Sequence, residues 1–202
     1  MKRIVFFIGI VCCLTACQQA LMQPTAFTDA VGPVLYAHDW FYMLGAYDRW
    51  EIQEQTADHC LCVQEYDSIV VDGTLLQATV RISSEGGQTM NRAEIVLTDP
   101  ITANRSPLTG LYVGGGIRLY DSADSIYTCD HCGIIACAHH SANGHRYAAV
   151  VTPHGGWQDT IDGTLFSLQP YELGDTMTFF FGMQEGADTY PADQDFFDAI
   201  TW

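Results

Sequence analysis

The chain has 202 residues and carries 24 acidic side chains against eight Lys and Arg, a formal net charge of −16 with histidine neutral. So few cations cannot neutralise a run of phosphates, which excludes nucleic acid as a partner class, and they cannot hold an anionic lipid surface. Length and an apolar content of 48% suit one domain with a sizeable core.

The N-terminus has the most definite reading. Lys2 and Arg3 precede an apolar run over 4–14, too short to span a bilayer and of the length of a signal-peptide hydrophobic region. Leu14, Thr15, Ala16 and Cys17 follow, and this arrangement resembles the bacterial lipobox. The resemblance implies a lipoprotein that is cut before Cys17 and acylated there with palmitate-type chains. Gln18, standing where Asp would retain the protein, implies the outer membrane, with the domain on its periplasmic or surface face. On this reading 1–16 are the signal peptide, 17–34 a lipidated tether of small and polar residues, and 35–202 a single domain. Cleavage would remove Arg3 and Lys2, the only lysine, leaving six arginines against 24 acidic residues and a net charge of −18. The acyl chains then have to supply membrane attachment by themselves.

From residue 35 onward, short β-like runs alternate with turn residues, and no internal repeat is visible. Residues 39–52 hold Trp40, Phe41, Tyr42, Tyr47 and Trp50. The run 60–71 ends at Asp72-Gly73, a hairpin-turn pair. Residues 74–83 alternate, with Leu76, Ala78, Val80 and Ile82 on one face and Leu75, Gln77, Thr79 and Arg81 on the other. After Gly86 and Gly87, residues 90–98 alternate in the same way around Ala93, Ile95 and Leu97, until Asp99-Pro100 stops them. Residues 111–120 contain Gly114, Gly115 and Gly116, the mark of a bulge or tight bend in a strand. Further runs over 125–129, 133–137, 146–152, 164–168 and 176–181 complete the set. Only 191–200 read as a helix, with Asp193 and Asp195 near its positive end and Phe196, Phe197 and Ile200 as its apolar stripe. About eight to ten short strands predict an all-β domain, an antiparallel barrel or a β-sandwich with a short C-terminal helix.

The stretch Leu44, Gly45, Ala46, Tyr47, Asp48, Arg49, Trp50, Glu51 and Ile52 resembles the first-strand signature of lipocalins, with Tyr47 in place of that family's Trp. Cys60 and Cys62 ahead of a strand, the Asp72-Gly73 turn and the strand over 93–98 follow in the same order as in lipocalins. The resemblance implies an eight-stranded barrel that encloses one small apolar ligand, held by the apolar area it removes from water. A β-sandwich gives the same strand count. It would make the chain an envelope protein acting in protein interaction or in structure.

Cys12 and Cys13 leave with the signal and Cys17 is consumed by lipid, so Cys60, Cys62, Cys129, Cys132 and Cys137 remain, an odd set in an oxidising compartment. The densest chemistry runs from Cys129 through His131, Cys132 and Cys137 to His139 and His140, with His145 and His154 beyond. Three readings stand side by side. The thiols form disulfide staples, for example tying the 129–137 stretch to Cys60 or Cys62. Alternatively Cys129, Cys132 and Cys137 hold a structural or transported zinc together with His139 or His140. The third reading is a redox-active Cys-x-x-Cys, although the βαβ setting such motifs use is missing. Cys60 and Cys62 share one strand face and cannot bond to each other without distortion. No Gly-x-Ser-x-Gly, His-Glu-x-x-His or P-loop occurs, and Asp121/Asp124 and Asp193/Asp195/Asp198 follow no calcium-loop spacing. The expectation is a protein that binds rather than catalyses.

Overall fold

The computed structural model describes residues 21–23, 25–28, 30–101, 108–120, 124–141, 144–186, 190 and 192–200. Cys17 and the signal-like segment lie outside these. In chain order the elements are β1 (Val31–Ala37), β2 (Trp40–Met43), β3 (Arg49–Gln55), β4 (His59–Val71), β5 (Thr74–Glu85), β6 (Asn91–Thr98) and β7 (Tyr112–Arg118). They continue as β8 (Ser125–Cys129), β9 (Ile134–Ser141), β10 (Gly144–Val151), β11 (Trp157–Ile161), β12 (Thr164–Pro170), β13 (Thr176–Gly186) and α1 (Asp193–Ile200).

Three hairpins close through two residues that both have positive φ: His38 and Asp39, Asp72 and Gly73, Asp162 and Gly163. That is the type I′ geometry, whose twist matches the twist of the strands it joins. The strands form two antiparallel sheets, one ordered β11-β12-β7-β1-β2 and the other β3-β4-β5-β6-β13-β10-β9-β8. Leu35, Ala37, Val113 and Ile117 of the smaller sheet pack against Leu76, Val80, Ile95, Leu97, Val150 and Phe179 of the larger. The alternation of β5 and β6 is therefore the core face of a sandwich, and the chain is all-β as its sequence predicts. The sequential strand order of an up-and-down lipocalin barrel is absent, because β6 pairs β13 and β1 pairs β7.

Two further cores cover outer faces. Val34, Phe166 and Leu168 cluster on the far side of the five-stranded sheet. On the far side of the larger sheet, Phe196, Phe197 and Ile200 of α1 cover Ala136, Ala138, Tyr147 and Ala149. That is the apolar stripe expected of the C-terminal helix. No helix among the described residues is long and apolar enough to cross a membrane.

The domain begins earlier than residue 35. Phe27 lies 5.9 Å from Phe179 and 4.7 Å from Phe181, ring centroid to centroid, and Gln55 donates to the Met22 carbonyl at 2.8 Å. The described part of the expected tether is thus built into the sandwich, because Phe27 packs against the rings of Phe179 and Phe181 in the main core.

Candidate functional site

The cysteine- and histidine-rich stretch does not form one shell. Side chains alternate along β9, so Ile135 and Cys137 face the main core while Ile134, Ala136 and Ala138 face α1. His139 follows the first set and His140 the second. The zinc shell expected from Cys129, Cys132, Cys137, His139 and His140 is therefore split across the two faces of one sheet.

Three local groups result. Cys129 and Cys132 are joined as a disulfide across the β8–β9 turn, with Cα atoms 5.3 Å apart. On the core side, His139 Nδ1 lies 2.7 Å from Asp124 Oδ1, a nearly buried pair. Cys137 sits beside them, and burial pushes its thiol up to about 12, helped by the Asp124 charge and a hydrogen bond to that carboxylate. On the helix side, His140 Nε2 meets Asp193 Oδ1 at 2.8 Å, and the Nδ1 atoms of His140 and His145 face each other. Desolvation alone would push the Asp193 carboxyl up. Hydrogen bonds from His140 and Ser125, with the charges of His140 and His145, outweigh it and hold the group below its ordinary value.

Staples linking the 129–137 stretch to Cys60 or Cys62 are not formed; Cys60, Cys62 and Cys137 are free and buried. From β4 to β9 the sheet order runs through five steps, so the two sets of thiols stand on strands that are not neighbours. Cys60 and Cys62 point to one side with sulfurs 3.7 Å apart.

The other distinctive surface lies on one outer strand of each sheet. β2 closes one sheet and β3 the other. Trp40 and Tyr42 pair with Ala37 and Leu35, and Trp50 and Ile52 pair with Gln64 and Cys62, all four partners being buried. Paired residues share a face, so these four side chains point toward the layer between the sheets, yet each stays partly open to solvent among the described residues. Trp40 is 54% exposed, Tyr42 43%, Tyr47 41%, Ile52 39% and Trp50 37%. The aromatics of 39–52 were expected to line a ligand cavity or fill the core, and only Phe41 turns the other way, against Phe166. Next to this edge, Phe27, Met43, Leu44, Tyr47, Tyr66 and Arg118 line a surface cleft of about 270 Å³.

Asp39, Asp48, Glu51 and Glu54 are exposed on or beside these two strands, Glu51 and Glu54 on the face of β3 opposite Trp50 and Ile52. Arg49, on β3, is engaged by Glu65 at 2.6 Å and Asp67 at 2.9 Å. The sequence signal for this patch was the aromatic density of 39–52; what it lacked was the sheet order that leaves both strands at an edge.

Compared with protein-family models, with curated proteins and with solved structures, the chain finds no match in any of the three.

Proposed function

We propose that the protein is an envelope lipoprotein, anchored through Cys17 to the outer membrane, whose sandwich domain serves as a protein-interaction module. The observation that carries this is the set of large apolar side chains on the outer strands β2 and β3, where Trp40, Tyr42, Trp50 and Ile52 are all exposed among the described residues. Monomeric proteins rarely leave such residues together in water without a use for them, and Trp and Tyr dominate interaction hot spots. The apolar side chains of both sheets that pack into one buried core favour this reading over capture of a small apolar ligand in a barrel.

The occupant is an extended, cationic segment of a partner protein. Among the described residues β2 and β3 each have a strand on one side only, so their outer backbone groups offer a template for strand addition. The exposed carboxylates on and beside these strands make both edges acidic and supply the complementary charge.

The double variant Trp40→Ala/Trp50→Ala tests the edge. Its unfolding free energy should fall by no more than about 2–3 kcal/mol, the apolar burial of two half-exposed indoles, and the fold should survive. On native gels of gently solubilised host envelopes, wild type should migrate in one discrete complex and the variant should not. Equal migration of the two would refute the edge as the binding surface. A Cys17→Ser variant should lose palmitate labelling; labelling that persists would refute the anchor.

A further inference from the structure

The turn between β8 and β9 gathers three metal-compatible donors that the interaction reading does not use. Ligand atoms of Cys129, His131 and Cys132 all lie within 4.8 Å of one another. His131 approaches the Cys129 sulfur at 3.6 Å through Nδ1. Cys132 and His131 are exposed, and Cys129 is the inner ligand, largely buried against the α1 side.

The turn is built and backed. Cys132 N donates to Cys129 O at 3.1 Å and Gly133 N to Asp130 O at 3.2 Å. Gly133 has a φ of +68°, and a Cβ there would run into the Thr152 carbonyl oxygen, so only glycine fits. From outside, Gln158 Nε2 donates to Cys129 O at 3.1 Å and to Ile134 O at 3.2 Å, bracing both ends of the turn. The other amide atom, Gln158 Oε1, is buried without a hydrogen-bond partner among the described residues. The backbone at Gly155 rests on the turn so closely that a Cβ would come 2.8 Å from Asp130 O. Gln169 holds that backbone in turn, donating to Gly155 O at 2.6 Å. Donors fixed on a supported turn are the frame a metal site needs.

We infer that Cys129, His131 and Cys132 form a redox-gated site for a thiophilic divalent cation of the zinc class, closed as the disulfide and opened by reduction. Two thiolates and one imidazole fill three positions of a tetrahedron, and the exposure of His131 and Cys132 leaves the fourth to water or to a passing ligand. The reductant is an external protein dithiol. One of its thiolates attacks Cys132 Sγ, breaking the bond to Cys129 Sγ and releasing the Cys129 thiolate beside His131. Its second thiolate then attacks the mixed disulfide and releases Cys132 as thiolate. The dithiol gives up two electrons and becomes a disulfide, while the protein sulfurs gain those electrons. The cation takes the place of the two protons the thiols would otherwise hold.

Cobalt titration of the full chain tests this, the oxidised form against a form reduced by a phosphine and kept free of oxygen. The oxidised protein should show no thiolate-to-cobalt absorption, and the reduced protein should bind one equivalent that zinc displaces. His131→Ala, an exposed change that leaves the fold alone, should raise Kd at least about tenfold, the loss seen even for outer-shell partners. Cys62→Ser and Cys137→Ser should bind as wild type. The inference is overturned if the reduced protein binds no cobalt, if His131→Ala binds equally well, or if either control variant abolishes binding.

Discussion

Phe41 on β2 and Phe166 on β12 hold their ring centroids 5.2 Å apart, although three strand steps separate the two strands in sheet order. In a flat sheet those steps amount to about 14 Å. The five-stranded sheet is therefore curled like half a barrel around Val34, Phe166 and Leu168. The curl passes through Gly114, Gly115 and Gly116 of β7, where side chains would otherwise collide.

A Cβ at Gly116 would sit 2.5 Å from Val34 Cγ2, and one at Gly114 would strike the Ser167 carbonyl oxygen of the neighbouring strand. A carbonyl held in a ladder cannot move aside as a side chain can. Gly114→Ala should therefore cost about 3 kcal/mol or more, beyond ordinary overpacking. Gly87→Ala, at a φ of +79° but with open space around it, should cost about 1–2 kcal/mol for conformation alone. Urea midpoints of the two variants measure the difference, and equal midpoints would mean that the curl does not depend on glycine.

Burial pushes the Cys137 thiol from its ordinary 9.0 to about 12; burial, reinforced by the Cys60 sulfur, raises Cys62 as well. A folded-state value raised above the unfolded one gives stability that is complete below about pH 9 and is lost as pH rises toward 12. Urea stability should therefore decline above about pH 9, and Cys137→Ala should flatten part of that slope. At neutral pH these thiols should react with Ellman's reagent only after unfolding. Rapid labelling of the native protein would contradict their burial.

Asp193 ties the start of α1 to His140, and its folded carboxyl lies below its unfolded value of 3.8. The sign is opposite to that of the thiols. Its contribution is present at neutral pH, above the unfolded value, and is lost as pH falls through the folded one. Both partners are partly solvated, so Asp193→Asn should cost about 1 kcal/mol at pH 7 and nothing at pH 2. A penalty that survives at pH 2 would show that the tie is not ionic.

The strands of β5 and β6 were legible because strict alternation around Leu76, Val80 and Ile95 leaves one register that buries them. The Asp72-Gly73 turn was legible for the same local reason. His38-Asp39 closes a hairpin of the same kind without glycine, so nothing marked it, and β1 was missed with it. The metal shell was misassembled because spacing along the chain ignores the two-residue period of β9. That period sends Cys137 to the core side while the next strand turn keeps Cys129 and Cys132 together with His131. The edge position of Trp40 and Trp50 depends on pairings between distant segments, which no local pattern records.

Photo-crosslinking in the native host tests the central claim most directly. A photoreactive amino acid is placed at position 42 or 50, and at exposed Ile126 on the far edge strand β8 as the comparison. The interaction reading predicts one discrete adduct from positions 42 and 50 and none from 126. No adduct from either edge position, or the same adducts from all three, would contradict it.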